Sequence, residues 1–149
     1  MPLASEINAK ALWWAGPLTV VVAVLLVFAT RAVAVPLFGL NGEFPPLTYQ
    51  GLGFFTVVGV GAGVLVFAGF AVWSSRPIAI YRKVALVALA LSMLPDAWLP
   101  GNVPGATWPI AIVLMVTHVA AWLPTVLILT NRALIGRRTE EVRSHVLSA

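Results

Sequence analysis

Residues 108–129, WPIAIVLMVTHVAAWLPTVLIL, decide the fold because they are long and apolar enough to cross a bilayer as one helix. The stretch holds no Asp, Glu, Lys or Arg, and its one histidine, His118, lies near the centre. Helical spacing places small and polar residues on the same face as His118, which predicts that this face is turned toward protein. The opposite face is plain hydrocarbon and is predicted to face lipid: Ile112, Val113, Val116, Leu123 and Leu127.

The composition of the whole chain agrees with a membrane protein. Of its 149 residues 60% are hydrophobic and 9% are charged, whereas a soluble domain has about 25% charged residues. The net charge of +4 comes from basic residues at the ends of apolar runs, which predicts a role in topology and no nucleic-acid partner. The chain has no cysteine, which excludes disulfides, thiolate metal sites and iron–sulfur clusters.

Three further apolar stretches precede residues 108–129, and together they predict an all-α membrane domain over residues 11–135. The predicted spans are 11–35, 52–73, 78–99 and 108–130. The loops between them, 36–51 and 100–107, are rich in proline and glycine. Short connections predict an up-down antiparallel four-helix bundle. A cytoplasmic anchor, 1–10, and a basic cytoplasmic tail, 136–149, flank this domain, and the tail is expected to hold one helical turn from Thr139.

The distribution of basic residues predicts which way the bundle is inserted. Arg31 alone falls on one side of the predicted bundle, and both termini are expected on the other, cytoplasmic side of a bacterial inner membrane. The residues on the cytoplasmic side are Lys10, Arg76, Arg82, Lys83, Arg132, Arg137, Arg138 and Arg143.

Arg31 and Asp96 are the two charged residues expected close to the outer boundary of the membrane. Arg31 lies roughly 29 Å along the first helix, at 1.5 Å per residue, and Asp96 lies near the outer end of the third. Two interpretations are open. The side chains pair across helices, or Arg31 extends to lipid headgroups while Asp96 meets water.

His118 is expected about 15 Å into its helix, near the bilayer midplane, where an ionisable side chain suggests a function. Three hypotheses compete. His118 joins helices through a hydrogen bond to a backbone carbonyl or to Ser92. It ligates a haem or chlorophyll-type pigment, with Trp122 one turn away. It lines a polar path or pocket with Ser92 and Asp96, with Arg31 at the mouth, for an acidic or quinone-like ligand.

A stripe of small and polar residues on the third helix supports an interior surface of this kind. Ala85, Ala88, Ser92 and Asp96 recur three or four residues apart, so they share one face, which is predicted to turn toward the bundle.

Gly59 and Gly63 have the Gly-x-x-x-Gly spacing that lets two membrane helices approach closely. The chain contains neither Gly-x-Ser-x-Gly nor His-Glu-x-x-His, so catalysis is less favoured than binding. The leading hypothesis is therefore a structural or accessory subunit of a larger membrane assembly, with a membrane-protein partner or a second copy in contact. The alternative is a ligand-, pigment- or haem-binding, or transporting, bundle centred on His118.

The third and fourth spans carry two short motifs, Leu91-Ser92-Met93-Leu94-Pro95 and Thr117-His118. With the four-span pattern they make the chain, from the first span through Arg132, resemble a family of uncharacterised small bacterial membrane proteins, frequent in actinobacteria and defined as a domain of unknown function. The resemblance implies a four-helix membrane protein with no assigned activity.

Overall fold

The computed structural model describes residues 9–147, and side chains are described for residues 13–131. Four helices account for nearly all of it: α1 (Ala9–Leu37), α2 (Tyr49–Trp73), α3 (Pro77–Trp98) and α4 (Trp108–Leu147). A single 3-10 turn, Pro45–Leu47, lies between α1 and α2. The all-helical fold is as predicted, whereas the predicted anchor lies almost wholly outside the described residues.

Each helix contains a segment of 22–25 residues that is long and apolar enough to cross a membrane. The mean hydropathy of these segments is 2.5, 2.2, 1.6 and 2.2 in chain order, so the third is the most polar. Large apolar side chains are exposed around the outside of the bundle, including Leu25, Phe54, Leu65 and Leu86. Exposure on this scale suits contact with a lipid bilayer, which supports a multi-pass membrane protein.

The helix ends differ from the sequence prediction in three places. α1 continues through Pro36 to Leu37, although proline lacks the N–H that would bond to the carbonyl of Ala32. α2 begins at Tyr49, where the Thr48 hydroxyl caps it by accepting a hydrogen bond from the Gly51 N–H at 3.1 Å. α4 runs on to Leu147, so the expected tail with a single turn is wrong for its backbone. That segment contains no proline and many good helix formers.

Helix α4 is the most buried of the four, and the other helices pack around it. Its membrane-length segment is 39% buried, compared with 11–22% for the other three. α1 packs extensively on α4 and α2, and α3 packs mainly on α4, while α2 and α3 meet less. This unequal packing leaves a gap between α2 and α3 with α4 behind it.

Two apolar clusters lie toward the two ends of the bundle, one near the segment that connects α1 to α2 and one near the α2–α3 turn. The first includes Val27, Phe44, Leu47 and Ile110, and the connecting segments 38–48 and 99–107 pack onto it. Val113 also belongs to this cluster and is only 4% exposed, so its predicted lipid-facing position is wrong. The second cluster is formed by Ala15, Phe67, Tyr81, Val126 and Leu129.

Candidate functional site

The gap between α2 and α3 is a cavity of about 640 Å³ with predominantly apolar walls. Small side chains on both helices make it wide, and α4 forms its back wall. The stripe predicted on α3 lines the cavity, in agreement with an inward-facing surface: Ala85, Ala88, Ser92 and Asp96. Its volume lies in the range of small-molecule sites.

Asp96 and His118 meet at the wall of this cavity. Asp96 Oδ2 lies 3.0 Å from His118 Nε2, and the two side chains are 12% and 37% exposed, respectively. The distance is that of an ion pair or hydrogen bond, but the ring N–H is not aligned with the oxygen, so Oδ2 is buried without a hydrogen-bond donor. The contact is therefore close but incompletely satisfied.

The contact has a consequence for the other ring nitrogen of His118. A neutral imidazole that donates to this carboxylate does so from Nε2, which leaves Nδ1 as an acceptor. Within residues 13–131, no hydrogen bond reaches His118 Nδ1 or Asp96 Oδ1, and neither atom is among the buried polar atoms without a partner. Both acceptors therefore keep accessible surface at the cavity wall.

The structure places Asp96 and His118 at the same level of the bundle, which the sequence did not predict. Spacing along each helix put Asp96 near the membrane boundary and His118 near the midplane, yet their side chains touch. α3 ends at Trp98, two residues after Asp96, whereas α4 begins at Trp108, ten residues before His118. α3 therefore stops about 12 Å, or two turns, short of the start of α4. The connecting segment fills that space, with Val103 packed on the first apolar cluster.

Trp122 and Ser92 line the cavity, but their polar atoms are already engaged. The Trp122 Nε1–H donates to the backbone carbonyl of Ala85 at 3.0 Å, which joins α4 to α3. The Ser92 hydroxyl donates to the Leu89 carbonyl of its own helix at 2.8 Å. His118 therefore faces Asp96 and not Ser92, while Trp122 contributes a fixed ring to the wall.

Arg31 lies away from the cavity and binds the segment that connects α1 to α2. Its Nε donates to the Leu47 carbonyl at 2.7 Å, and its Nη2 donates to the Gly42 carbonyl at 3.2 Å. Its guanidinium carbon lies 3.9 Å from the centre of the Tyr49 ring, a cation–π geometry. Among residues 13–131 the only ion-pair contact is that of Asp96 with His118. The predicted pairing of Arg31 with Asp96 is therefore wrong, and Arg31 holds this loop, while its extension to lipid headgroups stays a prediction.

Gly59 and Gly63 both line the cavity. A Cβ at Gly59 would meet no atom within 4 Å, and one at Gly63 would lie 3.4 Å from Tyr81 Oη. The close approach between α1 and α2 uses other glycines, since a Cβ at Gly16 or Gly53 would press on Val64 or Phe28, at 3.1 and 3.2 Å respectively. The helix-packing role predicted for Gly59 and Gly63 thus stays a prediction about contacts with another chain.

Sequence reasoning missed two polar residues that line the cavity. Thr56 on α2 lines the wall, and Tyr81, near the start of α3, is 2% exposed and stacks edge-on against Phe67 at 4.8 Å. Helical spacing relative to Gly59 and Gly63 places Thr56 on the same face. That spacing was the available signal.

In the part of the chain that the structure describes, no three His, Cys, Asp or Glu side chains are grouped to hold a metal. A haem or chlorophyll-type pigment on His118 stays a prediction, and the carboxylate behind Nε2 would leave Nδ1 as the ligating atom.

Comparison with known proteins places the chain in a family. Residues 7–134 match the model of DUF6069, a family of unknown function. The chain belongs to this family. No curated protein and no solved structure matches it. The resemblance noted from the sequence is thus confirmed as membership of a family of unknown function.

Proposed function

We propose that the protein is a multi-pass protein of the bacterial inner membrane that binds an apolar molecule in the cavity between α2, α3 and α4. His118 and Asp96 anchor the polar end of that molecule, and the small residues of α2 and α3 make room for the rest. Ser92 and Trp122 line the wall beside this anchor.

The arrangement of the helices in the membrane is part of the proposal. Contacts between α3 and α4 pair residues in opposite order, Ala85 with Trp122 and Arg82 with Thr130, as expected for antiparallel helices. Exposed basic residues at the α2–α3 turn, with those of the two terminal segments, favour a cytoplasmic location for this end and for both termini.

The observation that carries the binding proposal is the Asp96–His118 contact at a predominantly apolar cavity wall. Asp96 Oδ2 has no aligned donor, and unsatisfied polar groups inside a membrane cost free energy. His118 Nδ1 and Asp96 Oδ1 lie beside it without a hydrogen bond, and the polar end of a ligand can pair with them.

The test fills the cavity and compares what co-purifies. Ala88 lines the cavity, whereas Ala90, two residues along the same helix, is exposed and does not. The wild type, Ala88→Phe and Ala90→Phe are purified from native membranes in mild detergent and examined by native mass spectrometry. We expect a bound molecule on the wild type and on Ala90→Phe that is lost from Ala88→Phe. The proposal fails if the wild type carries nothing, or if both variants retain the same molecule.

A second candidate function is that of a structural or accessory subunit in a larger membrane assembly. The open space beside Gly59 and Gly61, where a Cβ would meet nothing within 4 Å, favours it, because a helix of another membrane protein or of a second copy can approach there. Gly61 is the better test because it does not line the cavity. If this candidate is right, Gly61→Leu releases a partner or a second copy that the wild type retains. A wild type that runs as a monomer without partners removes it.

A further inference from the structure

We propose that the cavity selects amphiphiles whose polar group donates hydrogen bonds, namely long-chain primary amines and alcohols, and discriminates against carboxylic acids and simple esters. This inference rests on the proposed binding function and specifies the chemistry of the ligand. It departs from the acidic or quinone-like ligand expected from the sequence.

The open polar atoms of the Asp96–His118 pair are acceptors. When Nε2 of a neutral imidazole carries the proton, His118 presents Nδ1 as a lone pair, and Asp96 presents Oδ1. Two donors beside the pair are occupied, since the Trp122 indole N–H binds the Ala85 carbonyl and the Ser92 hydroxyl binds the Leu89 carbonyl, whereas the hydroxyls of Thr56 and Tyr81 line other parts of the cavity. A ligand that brings only acceptors, such as an ester or a quinone, would leave these atoms unpaired.

Charge distinguishes among donor groups. Apart from His118, no residue that lines the cavity can supply a positive charge to an ionised Asp96 carboxylate, since the lining includes no Lys or Arg. A primary ammonium supplies both hydrogen bonds and charge, and electrostatic attraction is strong where water is scarce. A second carboxylate would add repulsion. The expected order of affinity is therefore amine, alcohol, ester, acid.

The shape of the cavity accounts for the apolar part of the ligand. Along α3 the lining residues run from Tyr81 to Leu99, and Asp96 lies near one end of this series. The distance along the helix from Asp96 to Tyr81 is about 22 Å, and the intervening wall is mostly Gly, Ala, Val and Leu. A chain of the length found in membrane lipids therefore fits with its polar group held at Asp96.

The experiment measures binding of four probes with identical chains to the full-length purified protein. Hexadecylamine, hexadecanol, methyl hexadecanoate and hexadecanoic acid are titrated in the same detergent, and bound stoichiometry is read by native mass spectrometry. Ala88→Phe, with its cavity filled, measures the background from partition into micelles. We expect hexadecylamine to bind at least about tenfold more tightly than hexadecanoic acid, with hexadecanol between them.

Asp96→Asn tests the role of the carboxylate. It keeps the size of the side chain but removes the charge, so it is expected to abolish most of the preference for hexadecylamine over hexadecanol. If this variant fails to fold, the order of the four probes on the wild type still decides. Tighter binding of the acid than of the amine overturns the inference.

The failures of the two proposals are distinguishable. Equal binding of all four probes that Ala88→Phe abolishes leaves the binding function standing and removes the selectivity. Binding no greater than that of Ala88→Phe for every probe removes the binding function itself.

Discussion

Replacement of Arg31 by methionine is expected to release the segment that connects α1 to α2. Methionine keeps much of the apolar stem but loses the hydrogen bonds to the Leu47 and Gly42 carbonyls and the stacking on Tyr49. Arg31→Lys retains the charge without the planar fork that reaches two carbonyls at once, so it should restore stability only in part.

The magnitude follows from the geometry. Hydrogen bonds from charged groups contribute about 1.5–3 kcal/mol each, and a cation–π contact contributes about 0.5–1 kcal/mol at exposed sites. The contact with Gly42 is long at 3.2 Å, and Arg31 is only half-buried, so the lower end applies. We expect Arg31→Met to lower the free energy of local opening of this segment by about 2–4 kcal/mol, and Arg31→Lys to lower it by about half as much.

A glutamate-specific protease offers a direct assay, because Glu43 lies in this connecting segment. The rate of cleavage after Glu43 in detergent reports how often the segment opens. The expected cost corresponds to cleavage about thirtyfold faster, or more, in Arg31→Met. The control is Arg76→Met, since Arg76 is exposed and makes no side-chain cap to α3. Cleavage of Arg31→Met at the wild-type rate would refute the reasoning.

Two further predictions concern helix packing, measured by thermal unfolding of the purified protein in detergent. A Cβ at Gly51 would overlap the Pro45 carbonyl oxygen, so Gly51→Ala should destabilise by about 1–3 kcal/mol, whereas Gly61→Ala has open space and should gain up to about 1 kcal/mol from helix propensity. Shifts of the same sign would contradict this contrast. Trp122→Phe loses the hydrogen bond to the Ala85 carbonyl and should cost about 0.6–1.7 kcal/mol, and an unchanged melting temperature would show that the bond contributes nothing.

For Arg31, the sequence predicted more about the position of the residue along α1 than about the groups that its side chain contacts. Its distance along α1 follows from helical rise, which is a local property. Its partners are carbonyl oxygens 11 and 16 residues away, on a segment whose path depends on the turn at Pro45–Leu47 and on Phe44 and Leu47 entering the core. Backbone acceptors carry no residue-type signal, so a search for opposite charges indicated Asp96 instead.

By itself, the sequence determined the four apolar helices and the inward face of α3, because hydropathy, length and helical periodicity act over neighbouring residues. Only the tertiary structure decided that Asp96 meets His118 at the wall of a cavity. That contact depends on α3 ending two turns short of the start of α4 and on residues 99–107 packing into the space. The end of α3 and the path of residues 99–107 depend on how segments distant in sequence pack into the same apolar core. The spacing of residues along a single helix carries no information about that packing.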